Sequence, residues 1–326
     1  MSSRDNPQPN GVCDVVTIGE TLAAFIRDQI LARYDVTAVG AESNVAVGMA
    51  QLGCQARWIS RLGDDQLGHS VQECIAGYGV DAQVEWDDQH PTGICIKELG
   101  PDRTRVRYYR SQSAARYLNE SHTLALGNAR WIHVTGITPA LSPTAADLVA
   151  MIVERRTAHA GRVSFDFNYR PALWSDPAAA SQALVPLARQ ADVIFIGEDE
   201  AEALLGSGER RDVALRLLVR DDQELVIKRG GGYASVATTA RYVSEPAGKP
   251  SIVDLTGAGD AFAAGYLAGA CRGWEAPDRL RLGHFLAARV VAVPGDLGPN
   301  LTNEELAGLA SAIRNPTVSM SVDAPA

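Results

Sequence analysis

Apolar and polar positions follow two rhythms along this chain, with short isolated runs before about residue 112 and regular long alternation after it. Residues 15–18, Val-Val-Thr-Ile, are a β-branched run closed by Gly19 and predict a first strand. Residues 44–52 are Ala-rich and stop at Gly53, as a helix with a glycine end does. Residues 57–60 read as a strand that runs into the turn Gly63-Asp64-Asp65. Residues 93–97 and 103–110 are strand-like and flank Gly100-Pro101-Asp102, a hairpin pattern that stands off the core. Four apolar strands then follow at 131–134, 163–167, 193–196 and 225–228, separated by helical patterns of 10–20 residues. That alternation predicts βαβ units, a parallel sheet and an α/β fold. Ligands bind such sheets at the carboxyl ends of the strands, where Asn168, Gly197 and Gly230 fall.

Composition narrows the function classes. At 326 residues the chain is long enough for one large α/β domain or two small ones. A net charge of −9 argues against nucleic acid or an anionic membrane as the main partner. Asp254, Thr256 and Asp260 interrupt the best apolar run, so no membrane span is expected. The first ten residues are polar and carry no signal-peptide core, which points to the cytoplasm. Cys13, Cys54, Cys74, Cys95 and Cys271 are dispersed and read as reduced thiols. The six histidines form no zinc-like spacing. Residues 1–12 and 316–326 are expected to be flexible tails.

The sharpest chemical signal is Asp254-Leu-Thr-Gly257-Ala258-Gly259-Asp260, followed by an apolar, Ala-rich helical pattern. Amides of Gly257, Ala258 and Gly259 at a helix N-terminus make an anion site. Asp260 beside that site is a poor phosphate ligand, because like charges repel. It suits a base that takes a proton from a hydroxyl attacking phosphorus. On residue types alone, a glycine turn capped by Asp reads equally well. There is no G-x-x-x-x-G-K-[ST], so this is no P-loop, and the third glycine of a dinucleotide fingerprint is missing.

The wider chain separates these readings. Residues 254–265 resemble the C-terminal signature of the ribokinase-like (PfkB) sugar kinases, D-x-x-G-A-G-D-x-F-x-x-G. The N-terminal signature is matched by Gly40-Ala-Glu-Ser-Asn44-Val-Ala46-Val, Leu52-Gly53 and Arg61-Leu-Gly63-Asp64-Asp65-Gln-Leu-Gly68. The resemblance implies a mostly parallel central sheet flanked by helices, with a small β-lid. It implies one kinase domain over residues 13–315, with lid segments near 20–38 and 84–112. ATP and Mg2+ are the implied cofactors, and a monovalent cation stays open. By position, Gly197, Lys228, Arg229, Gly230, Gly232, Thr256, Gly257, Gly259 and His284 belong to the ATP side. Gly197 replaces the Asn of the family's N-x-x-E pattern, and Glu200, which remains, is expected to act on Mg2+ through water. His284 stands where relatives often carry Asn.

Three further stretches resemble the branch of the family that phosphorylates 2-keto-3-deoxygluconate. They are Arg107-Tyr-Tyr-Arg110, Gly136-Ile-Thr-Pro-Ala-Leu-Ser-Pro143 and Asp166-Phe-Asn-Tyr-Arg170-Pro-Ala-Leu-Trp174. This resemblance assigns Gly40, Asn44, Tyr108, Tyr109, Arg110, Arg170, Asp260 and Asp296 to the sugar acid. The chemistry agrees, because arginine binds carboxylates bidentately and a neutral sugar would leave buried arginines unpaired. Gly19-Glu-Thr-Leu-Ala-Ala24 lacks the Asp that many neutral-sugar members carry, which removes a repulsion toward a carboxylate. The expected activity is phosphorylation of O6 of 2-keto-3-deoxygluconate with Asp260 as base, in a homodimer or higher homo-oligomer. A fructokinase-like or other ketose kinase, and a non-catalytic sugar-acid sensor, are the rivals.

Overall fold

The computed structural model describes residues 12–27, 33–98, 105–154 and 161–314. In chain order come β1 (Cys13–Ile18), β2 (Leu22–Arg27), β3 (Tyr34–Val39), α1 (Ala41–Gln51), β4 (Ala56–Gly63), α2 (Gln66–Gly77) and β5 (Asp81–Asp87). Next are β6 (Ile94–Glu98), β7 (Arg105–Tyr109), β8 (Ala129–Thr135), α3 (Thr138–Leu141), α4 (Pro143–Glu154) and β9 (Arg162–Asp166). Then come α5 (Pro177–Gln190), β10 (Val193–Gly197), α6 (Glu198–Leu205), α7 (Arg210–Leu217), β11 (Glu224–Arg229), β12 (Tyr233–Ala237) and β13 (Tyr242–Pro246). The last helices are α8 (Ala258–Cys271), α9 (Ala276–Val291) and α10 (Asn303–Arg314).

Among the described residues, nine strands form one sheet in the order β13-β12-β11-β10-β9-β8-β1-β4-β5. Every pairing from β11 to β5 is parallel, and β12 and β13 add an antiparallel edge. The central strands are buried on both faces, so they read as unbroken apolar runs. Their residues still alternate between faces. Val193 and Phe195 pack with α8 and α9, while Ile194 and Ile196 pack with α4, α5 and α6. The order in which strands are added switches sides at β1, with β4 and β5 on one side and β8 to β11 on the other, and the crevice outside the strand ends at such a point is where open α/β sheets bind ligands.

A second, lid-like sheet has the order β3-β2-β6-β7. The hairpin pattern is realised as antiparallel β6 and β7, but β6 also pairs in parallel with β2. The expected turn at 100–102 lies outside the described residues, as do residues 1–11 and 316–326 of the expected tails. Residues 84–87, expected in the lid, lie in β5 of the main sheet. β5, β12 and β13 are strands that the apolar pattern did not predict, and α2, α9 and α10 are helices it did not predict. Alternating Tyr242-Val-Ser-Glu-Pro246 is half exposed at a sheet edge and carries little apolar signal.

Candidate active site

The site forms where α8 begins. Gly257 caps this helix with φ +78°. Glycine enters that left-handed region at little cost, and a Cβ here would also meet the Asp296 carbonyl oxygen at 2.5 Å. Asp260 sits in the first turn, with the Ala261 amide bonded to the Gly257 carbonyl at 2.9 Å. The Ala258 amide reaches back to the Leu255 carbonyl at 3.4 Å, so the expected three-amide anion site is partly satisfied by the turn itself.

Two amides hold the Asp260 carboxyl. Asn44 donates to Oδ2 and Asn168 to Oδ1, each at 2.9 Å. Asn44 comes from α1 and Asn168 from the end of β9. Burial pushes the Asp260 carboxyl up to about 7, against the Asn44 hydrogen bond and the nearby Arg170 charge, which lower it. Asn168 has φ +39°, a backbone region that asparagine enters more readily than most residues. Sequence reasoning placed Asn168 at a strand end without assigning it a site role. An Asn directly after a buried strand that ends in Asp was the available signal.

Three cavities lie around the start of α8, and Asp260 lines two of them. The first, about 770 Å³, is lined by Gly40, Asn44, Tyr108, Tyr109, Arg110, Arg170, Asp260 and Asp296, so every residue expected on the sugar-acid side faces one cleft. The second, about 430 Å³, is lined by Lys228, Arg229, Gly230, Gly259 and His284 with apolar Ile252, Leu255, Phe262 and Val291. A third, about 480 Å³, bridges them through Asn168, Gly197, Glu200, Lys228, Thr256, Gly257 and Gly259.

Individual residues differ from their expected environments. Arg110 is already ion-paired to the buried carboxylate of Glu20, which also accepts from Ser113. Glu20 was not foreseen as a site residue. Arg170 forms no ion pair among the described residues, and its Nη1 makes only a 3.4 Å bond to the Tyr169 carbonyl. Ala24 packs with Leu22, Val39 and Cys95 inside the lid-like sheet. Glu42, inside the N-terminal signature, turns away from the cleft and accepts from Thr135 and Thr138, each at 2.7 Å.

On the other side, Lys228 donates to Asp166 Oδ2 at 2.6 Å. Arg229 pairs with Glu198 and stacks over Tyr233. Glu200 accepts from the Tyr169 and Gly197 amides, both at 2.7 Å, so its two oxygens are committed to backbone. Gly232 closes the turn between β11 and β12 by donating to the Arg229 carbonyl at 3.0 Å, and it does not line the cavity. His284 is bonded through Nε2 to the Glu245 carbonyl at 3.0 Å, and burial lowers its pKa. Cys13, Cys54, Cys74, Cys95 and Cys271 are all free thiols. No helix among the described residues is long and apolar enough to cross a membrane.

A mostly parallel sheet with a lid-like second sheet, and a buried acid at a helix N-terminus between two clefts, define a phosphotransferase. The chain belongs to the pfkB family of carbohydrate kinases, whose model matches residues 13–303. It is 34% identical to a 2-dehydro-3-deoxygluconokinase of Bacillus subtilis (strain 168), over 92% of this chain and 96% of that one. It is 32% identical to a 2-dehydro-3-deoxygalactonokinase of Haloferax volcanii, over 87% and 92%. Among solved structures, a 2-dehydro-3-deoxygluconokinase of Thermotoga maritima superposes with a TM-score of 0.82 at 25% identity, covering 93% of this chain and 99% of that one.

Proposed function

We propose that this kinase transfers the γ-phosphoryl group of ATP to O6 of 2-keto-3-deoxygluconate, with Asp260 as general base. The observation that carries the reading is the position of Asp260. Its carboxyl is clamped by Asn44 and Asn168 where the tyrosine- and arginine-lined cleft meets the cavity around Lys228. A general base works best with a pKa near the working pH, and burial brings this carboxyl to about 7.

In the proposed reaction the sugar acid lies in the larger cleft, its carboxylate toward Arg170 and its terminal hydroxyl toward Asp260. Asp260 takes the hydroxyl proton as that oxygen attacks phosphorus, and ADP leaves. Lys228 and the amides of Gly257 and Gly259 offset charge on the transferring group. The adenine would lie along Ile252, Leu255, Phe262 and His284. Tyr108 and Tyr109 on β7 wall the sugar cleft and limit access of competing water.

Among the described residues, no group of three or more His, Cys, Asp or Glu could hold a metal ion. Mg2+ binds characteristically through substrate phosphates, waters and one or two carboxylates, and Glu200 and Asp166 lie beside the bridging cavity. When bound, Mg2+ would neutralise phosphate charge.

One observation favours a second reading within the same family. Because Glu20 already pairs with Arg110, that arginine is not free to meet a substrate carboxylate, which leaves Arg170 and Arg116 among the arginines lining the cleft and weakens the acid preference toward a neutral ketose. An ADP-release screen over 2-keto-3-deoxygluconate, its galacto epimer, fructose and ribose decides. Faster turnover of fructose or ribose would replace the sugar-acid reading, and binding without ADP release would mark a sensor.

A further inference from the structure

We propose that Lys97 is a positioning residue that ties the lid-like sheet to the phosphate-binding turn by supplying a fixed cation between Asp254 and Asp296. The inference rests on the kinase reading but not on which sugar is used. Lys97 lies on β6, and its side chain is only 1% exposed. Its ammonium stands 3.4 Å from Asp254 Oδ2 and pairs more closely with Asp296. The two carboxylates come from positions 157 and 199 residues further along the chain.

Both carboxylates flank Gly257. Asp254 Oδ1 accepts from the Thr256 amide at 3.1 Å and from its hydroxyl at 2.6 Å, which fixes the residue before the cap. The Asp296 backbone packs directly on the Gly257 α-carbon. On its other side Lys97 is registered against Val106 of β7, and Cys95 against Tyr108, which lines the sugar cleft. One side chain therefore spans from the wall of the sugar cleft to the turn that opens α8.

Energetics favour a positional role over a stabilising one. Buried ion pairs add little net stability, because desolvation offsets attraction, but removing one partner leaves a costly charge behind. Burial pulls the Lys97 pKa down, yet Asp296 and Asp254 outweigh it, so the ammonium stays charged. Without that cation, two carboxylates would face an incoming polyphosphate beside the anion site. Their repulsion would shift the Gly257–Gly259 amides away from the transferring group.

The test uses the full chain and whichever sugar the ADP-release screen identifies. Lys97→Met should lower kcat about 100-fold, the cost of misplacing reacting groups by roughly 1 Å, with both KM values within about threefold of wild type. In Lys97→Ala, propylammonium should restore part of kcat and sodium chloride at equal ionic strength should not. If Lys97→Met does not fold, Lys97→Gln, which keeps a hydrogen-bond donor between the two aspartates without the charge, should show the same kcat loss. Hydrogen exchange at residues 254–260 should also be about tenfold faster in the folded variant, beyond the change that its lower global stability produces at other amides, as local opening permits. A folded variant with near-wild-type kcat, or with unchanged exchange at 254–260, overturns the proposal. A wild type without turnover sinks the kinase reading instead, and the exchange measurement still decides the role of Lys97.

Discussion

At the scale of single residues, the chemistry reduces to how Asp260 is held and charged. Asp260→Asn should lower kcat by ~10²–10⁴-fold, the usual cost of losing a general base, with substrate affinities largely kept. Steady-state kinetics checks this, and a mutant with more than about half of wild-type kcat would remove Asp260 from the role. The same carboxyl sets a pH dependence. Its ordinary value is 3.8 and its folded value about 7, so the native state keeps a proton that the unfolded chain releases in between. Asp260 therefore withdraws stability as pH rises through that window, and Asp260→Asn should flatten the slope of stability against pH there. Over the same range kcat/KM should rise with an acid limb near pH 7, because only the ionised base accepts a proton. Arg170→Ala should raise KM for the sugar acid more than for ATP, by the equivalent of about 1 kcal/mol, because Arg170 is exposed and a charge pair open to solvent is worth no more. An unchanged sugar-acid KM would make the neutral-ketose reading the better one.

At the scale of elements, the aim of α8 depends on how closely it packs on α9. A Cβ at Gly265 would meet the Leu282 carbonyl at 2.5 Å and Gly283 at 2.8 Å, and one at Gly283 would meet Phe262 at 2.9 Å. The helix backbones touch where any side chain would wedge them apart. Gly265→Ala should destabilise the fold by roughly 1–3 kcal/mol, as overpacking does. It should also lower kcat, because Asp260 rides on the displaced helix. Urea unfolding and steady-state rates test both, and an unchanged urea midpoint would show that the contact relaxes freely.

At the scale of the whole molecule, the lid-like sheet leaves Tyr34, Val36 and Tyr109 about half exposed. Small sheets need a hydrophobic face covered or a packing partner to be stable in water. We propose a homodimer through this sheet. Cys95 on β6 is fully buried within the chain, so the exposed aromatic residues carry the contact. Light scattering at micromolar concentration should give twice the chain mass. Adding the sugar substrate should slow hydrogen exchange in β6 and β7. A monomer with no ligand-dependent protection there would rule out the arrangement.

Local pattern was enough for the parallel sheet, the helix-opening G-A-G-D turn and the lid hairpin, since apolar periodicity and glycine placement are properties of neighbouring residues. Position along the chain, read through family resemblance, also brought Gly40, Asn44, Tyr108, Tyr109, Arg110, Arg170, Asp260 and Asp296 to one cleft, but not Glu20 or Arg116, which line it too. Partnership was not legible. That Glu20 neutralises Arg110, that Asn168 clamps Asp260 opposite Asn44, and that Lys97 joins two distant aspartates all depend on segments separated by up to 216 residues. Nor did Glu200 announce that both its oxygens serve backbone amides. Charge in a sequence has no direction. Only the folded chain decides which carboxylate an ammonium or guanidinium faces, because the low-dielectric interior makes each such pairing obligatory once the groups are buried.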